Sequence, residues 1–199
     1  MTGRGSHLSV TVRLPTPRRL RANSRTRYTP RRRSNTCCQI GPRDRDSRGT
    51  WGIVRAELYW LAGDPVPARR YADSARVAYE TQLRATPNDN QRQLFRGLAL
   101  AYLGQRAAAV REGERGLALA QATGDGYVNI PYARYLLARI YVAAGDHPHA
   151  LDQLDSLLAK PYIISPAWLR IDPNWAPLRG DPRFERLIAQ SAAGARPTP

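Results

Sequence analysis

The chain has 199 residues, a hydrophobic fraction of 42% and a formal net charge of +15. That length suits one domain with a tail, and no apolar run approaches the roughly eighteen residues needed to span a membrane. The charge is lopsided: residues 1 to 50 hold 13 Arg and 2 Asp, whereas the remainder holds 18 basic and 14 acidic residues, so the second part is only mildly basic.

Residues 1–48 read as a disordered Arg-rich tail. Arg, Ser, Thr, Pro and Gly dominate, as in Arg31-Arg32-Arg33-Ser34-Asn35, and apolar residues are too sparse to repay the entropy of ordering. One run, Leu8 to Leu14, alternates like a strand but has no obvious partner strand. An arm of this kind suits nucleic acid or an acidic surface, a targeting peptide, or simply a solvated extension. Nucleic acid is expected to bind only through this tail. Cys37 and Cys38 are adjacent, so they are poorly placed to bridge each other, and no third thiol completes a metal site. The rest of the chain lacks cysteine, which fits a reducing cytoplasm.

From residue 49 the pattern turns helical. A first helix is expected from about Thr50 to Ala62, a turn at Gly63-Asp64-Pro65, and a return helix to about Arg84, with Pro65 and Pro67 in its first turn, where a missing N–H is tolerated. Thr86-Pro87-Asn88-Asp89 breaks the chain, and Asn88 or Asp89 can cap the next helix. A second hairpin follows over Asn90–Leu103 and Gln105–Ala122, then a loop at Thr123-Gly124-Asp125-Gly126. A third begins near Asn129 or Pro131, reaches Ala144, turns at Gly145-Asp146-His147-Pro148 and runs to about Ala159. Ser165-Pro166 and Asp181-Pro182 each set a capping residue before a proline, opening two short helices. Phe184, Leu187 and Ile188 form the apolar side of the last one, expected to cover the open end of the array, and residues 191–199 read as frayed.

The three hairpins echo one another. Ala56-x-x-Tyr59-x-x-x-Gly63, Gly97-x-x-Leu100-x-x-x-Gly104 and Ala138-x-x-Tyr141-x-x-x-Gly145 share one spacing, and their glycines recur every 41 residues. The second helices keep step with Ala68/Ala72/Ala75, Ala109/Gly113/Gly116 and Ala150/Leu154/Leu157. A fixed period of this size is the mark of a repeat array. Small residues every three or four places let one helix lie close on another, and a glycine ends each first helix because only Gly takes a left-handed cap without steric cost.

These residues resemble the tetratricopeptide repeat (TPR) family. Ala56, Gly97 and Ala138 fill its small slot, Tyr59, Leu100 and Tyr141 its aromatic slot, and Ala68, Ala109 and Ala150 its interior alanine, over roughly residues 50 to 160. Departures are clear: Gly52, Gln93 and Arg134 stand at the early Trp, Arg55 and Arg96 precede the small residue where Leu137 conforms, and the period exceeds the usual 34 or so. The resemblance implies an all-α, right-handed α-solenoid of three TPR-like hairpins (about 49–89, 90–130 and 131–162), closed by a capping segment over 163–190. Trp175 with Leu178–Phe184 is similar to a closing segment of bacterial regulatory repeat proteins, in which the array often follows a DNA-binding, kinase or cyclase domain. A fragment or sensing region of such a regulator or kinase is one alternative this raises.

In the TPR family the first helices line a concave groove. Carried over, that implies Ile53, Glu57 and Trp60 from the first repeat, Leu94, Leu98 and Tyr102 from the second, and Tyr135, Arg139 and Val142 from the third. Aromatics and Arg are the usual anchors of interfaces; the plainer reading is that the rings fill space between repeats. The expected partner is a protein or peptide segment, with self-association left open. No catalytic role, cofactor or metal is expected. His147 and His149 flank Pro148 in a turn without third and fourth ligands, and Asp152 and Asp155 lie on a solvated helix face. The segment Gly124-x-Gly126 has no strand before it, so a nucleotide fingerprint fails on context. Function is expected to be that of a non-catalytic protein–protein interaction scaffold.

Overall fold

A computed structural model describes residues 47–124, 128–159 and 164–194, with side chains to residue 190. The described residues are all helical, without strands. In chain order they form α1 (Ser47–Leu61), α2 (Pro65–Ala85), α3 (Asn90–Tyr102), α4 (Arg106–Ala122), α5 (Asn129–Ala144), α6 (His147–Leu158), α7 (Pro166–Ile171), a 3-10 turn (Pro173–Leu178) and α8 (Pro182–Gly194). No described helix is long and apolar enough to cross a membrane. Two boundaries differ from expectation. Ser47 and Arg48, placed with the tail, begin α1, and α8 continues through 191–194, where Ala192 and Ala193 favour helix. The expected tail over 1–46, including Leu8–Leu14 and the two cysteines, lies outside the described residues, as does the end of the chain after 194.

The three glycine corners share one geometry. Gly63, Gly104 and Gly145 have φ of 72°, 79° and 79°. In each, the N–H after the glycine reaches back to the aromatic-slot carbonyl: Asp64 to Tyr59 at 2.9 Å, Gln105 to Leu100 at 2.9 Å and Asp146 to Tyr141 at 2.8 Å. Each glycine N–H also donates three residues back, to the Trp60, Ala101 or Val142 carbonyl, and this double closure satisfies the last carbonyls of the helix and reverses the chain. At the next helix starts, Asp89 rather than Asn88 caps α3, accepting from the Arg92 N–H at 2.9 Å, and Asp146 caps α6 through the His149 N–H at 3.4 Å.

Pairs α1–α2, α3–α4 and α5–α6 pack as hairpins, each second helix also meets the following first helix, and α3 touches both α1 and α5. The small residues face their partners. Ala56, Ala72, Ala75, Ala109, Ala138 and Ala150 are completely buried. A Cβ on Gly52 would stand 2.9 Å from the Ala75 Cβ and 3.0 Å from the Ala75 nitrogen and the Tyr71 carbonyl oxygen. One on Gly116 would meet the Leu94 Cγ at 2.6 Å, and one on Gly113 the Leu137 Cδ1 at 2.8 Å. The interior glycines of α4 therefore exchange helix propensity for close packing.

The departures from the repeat pattern also find their reason here. Gly52 brings α1 against the α2 backbone, where a bulky ring would not fit. Gln93 donates to Glu112, Arg96 bridges Glu112 at 3.0 Å and Glu80 at 3.5 Å, and Arg134 donates to Gln153 at 2.8 Å. Arg55 lies over the Trp51, Tyr59 and Tyr71 rings at 5.3–5.6 Å. Polar side chains thus tie first helices to second helices where the family pattern uses apolar bulk.

At the C-terminal end, Ser165 caps α7 through the Trp168 N–H and Asp181 accepts from the Arg183 N–H at 2.7 Å. Phe184, Leu187 and Ile188 are buried, with α8 lying against α6 and α7. Gly52→Ala tests the close approach: Ala favours helix by about 1 kcal/mol, yet its methyl meets rigid backbone, so unfolding by urea should show a net loss of about 1–3 kcal/mol. A gain in stability would mean that α1 and α2 separate freely.

Candidate functional site

The nine positions carried over as groove residues divide into two groups. Ile53, Leu94, Leu98 and Val142 are buried among core side chains, Leu94 and Leu98 completely, and Tyr102 and Tyr135 of the second group are buried as well. Glu57, Trp60, Tyr102, Tyr135 and Arg139 converge at one place, although they come from three different helices.

Arg139 of α5 is the hub. One Nη2 donates to the Glu57 carboxylate of α1 at 2.7 Å and to the Tyr102 hydroxyl of α3 at 3.2 Å, while its guanidinium lies 5.8 Å from the centre of the Tyr135 ring. Only 10% of its side chain is exposed, against 21% for Glu57. The fork geometry of Arg lets one planar group serve several acceptors and stack on a ring at once. Trp60 lies beside Tyr102 with ring centres 5.4 Å apart. Tyr132, Tyr135 and Trp168 stack in series at 6.3 and 5.9 Å.

A second chain segment, part of the stretch expected to cap the array, completes the cluster. The Asn174 side-chain amide donates to the Glu57 carboxylate at 3.0 Å and to the Asp172 carboxylate at 3.0 Å. Trp175 meets the Tyr135 ring edge-on at 6.0 Å and is completely buried. Asp172 is held in turn: its carboxylate caps the 3-10 turn through the Asn174 N–H at 2.9 Å, and its carbonyl accepts from Arg179 at 2.9 Å. The face expected to be open is therefore covered in part by residues 172–178 of the same chain. Asp172-Pro173-Asn174-Trp175 reads locally as a turn; nothing local places it 117 positions away against Glu57.

Burial sets the electrostatics. It pushes the phenols of Tyr102 and Tyr135 above their ordinary range, with Arg139 opposing the rise in both. Both rings therefore stay neutral hydrogen-bonding groups at physiological pH. Away from this site, the exposed His149 sits in the first turn of α6 beside its cap Asp146, not in the expected turn; the carboxylate at 2.8 Å raises the imidazole's pKa. Among the described residues no group of three or more His, Cys, Asp or Glu is placed to hold a metal ion.

Comparison with known proteins finds no matching family model, no similar curated protein and no similar solved structure.

One measurement tests the cluster, and a second tests the burial of Tyr79 on α2, whose ring stacks on Phe95 of α3 at 5.6 Å. Arg139→Met keeps the length but strands the Glu57 carboxylate, so urea unfolding should show a loss of about 2–4 kcal/mol; adding Glu57→Gln should recover part of it in a double-mutant cycle. The second is alkaline lability. Burial pushes the Tyr79 phenol from its ordinary 10 up to about 12, so the unfolded chain loses this proton first. Stability from this group is complete below about pH 10 and falls by on the order of 2 kcal/mol as pH rises to about 12, measured by denaturant titration.

Proposed function

We propose that this chain is a non-catalytic interaction scaffold. In this reading it is a right-handed α-solenoid of three TPR-like hairpins whose first helices recognise a polypeptide segment through Glu57, Trp60, Tyr102, Tyr135 and Arg139. One observation carries the reading. Two of these side chains, Glu57 of α1 and Tyr135 of α5, already hold a short stretch of polypeptide by a carboxylate–carboxamide hydrogen bond and an aromatic edge contact. Aromatic rings and a desolvated Arg are the chemistry by which interfaces concentrate binding energy. The half-buried Trp60, Tyr132 and Trp168 leave aromatic surface beside the covered part, which supports a site that extends past the chain's own segment. The buried phenols and the neutralised Glu57–Arg139 pair suit recognition, since neither supplies a base or nucleophile near neutral pH.

A displayed peptide library selected on the full chain tests this. Enriched peptides should bind saturably and lose about tenfold or more in affinity with Trp60→Ala, while the helical circular dichroism stays unchanged. No enriched peptide, or peptides indifferent to Trp60→Ala, would overturn the reading.

A further inference from the structure

Residues 172–178 touch the site in a way that differs from the packing of α8. Their buried positions are Asp172, Asn174, Trp175 and Leu178, while Pro173, Ala176 and Pro177 face solvent. One side of a short segment is gripped and the other left bare, as in a bound peptide. The grip across to α1 is polar, a carboxamide on a carboxylate. Among the described residues the backbone bonds of the segment are local, from Asp172 to Trp168, Trp175 to Asp172, Arg179 to Ala176 and Asp181 to Leu178. Side chains alone therefore hold it against the first helices. Its own turn is closed by the Asp172 cap and the Arg179 bond, both within the segment and its flank.

The fit is also incomplete. Among the described residues the Trp175 indole Nε1 and the Arg139 Nε are buried without a hydrogen-bond partner. One donor is on the segment and one on the site, each beside the Tyr135 ring, and each weakens the bound state. A competing segment that supplies an acceptor to the Arg139 Nε binds with an advantage the chain's own segment lacks, and its entry frees the Trp175 indole to reach water.

We propose that Asp172–Leu178 is a ligand bound in cis, and that the partner is a polypeptide segment of like chemistry, an Asn or Gln directly followed by an aromatic residue, which enters by displacing it. This rests on the scaffold reading above and names its partner class and its regulation. The carboxamide is specified because its N–H donates to the Glu57 carboxylate, which an ionised Asp or Glu side chain, an acceptor only, does not do. The aromatic is specified by the Tyr135 ring. Tethering gives the cis segment an effective concentration on the order of millimolar, so it screens the site against weak ligands.

The probe is a fluorescein-labelled peptide of the Ile171–Gly180 sequence, followed by anisotropy on the full chain. A chain carrying Asn174→Ala with Trp175→Ala should bind it at least tenfold tighter than the wild type, and the peptide made with Asn174→Asp should lose at least tenfold. If circular dichroism shows that the double variant does not fold, the wild-type chain decides: millimolar peptide should shift the Trp175 indole N–H resonance. A folded double variant without saturable binding, indifference to Asn174→Asp in the peptide, or an unmoved indole resonance overturns the proposal. Library peptides that bind through Trp60 while the Ile171–Gly180 peptide does not compete would sink this inference alone; a library without binders would sink the scaffold reading itself.

Discussion

At Gly52 the backbone of α1 lies so near α2 that one added carbon would sit within about 3 Å of a methyl and two backbone atoms. Gly97, against the Ala109 carbonyl and the Gly113 nitrogen, repeats the arrangement in the next hairpin. Much of the rest follows from this closeness. With the small residues turned toward the second helix, the next residue on α1 and on α5 is rotated by about 100°. Glu57 follows Ala56 and Arg139 follows Ala138. Both are carried to a face where α1, α3 and α5 present long polar and aromatic side chains to one another.

That face is held by charge inside a ring of aromatics. A buried ion pair is weak evidence for stability, because desolvation offsets much of the attraction. Its value here is geometric. Arg139 joins α1, α3 and α5 through Glu57, Tyr102 and the Tyr135 ring, so the three first helices share one anchor, and the residual lone pairs of Glu57 receive Asn174. A purely apolar face would bind any apolar segment; one with a carboxylate in a set place discriminates by what the segment donates.

The outer ties have the same logic. Arg96 spans Glu80 of α2 and Glu112 of α4, so a side chain at odds with the repeat pattern connects three helices. These contacts are partly exposed, and each contributes modestly. Together they fix the lateral register of neighbouring helices, which alanine faces by themselves leave loosely defined.

Helix positions were legible in the sequence because they depend on local physics. Glycine corners, proline starts and Asp or Ser caps act within four or five residues, and the 41-residue echo multiplied each signal by three. The buried alanine stripe was legible for the same reason: periodicity is a property of one helix. Small misses fell at the ends, at Ser47 and beyond Gln190, where cap signals are weak. The site was legible only by halves. Glu57, Trp60, Tyr102, Tyr135 and Arg139 could be named from their places in the repeat, but Leu94 and Leu98 share those places and lie wholly inside, because helix rotation within the stack decides which residue of a face is covered. A closing segment around Trp175 was expected, but its contact with Glu57 through Asn174 and with Tyr135 through Trp175 was not legible. Tertiary structure alone brings a turn to a helix 117 residues earlier, since that contact is set by the path of the whole chain rather than by any pattern near either end.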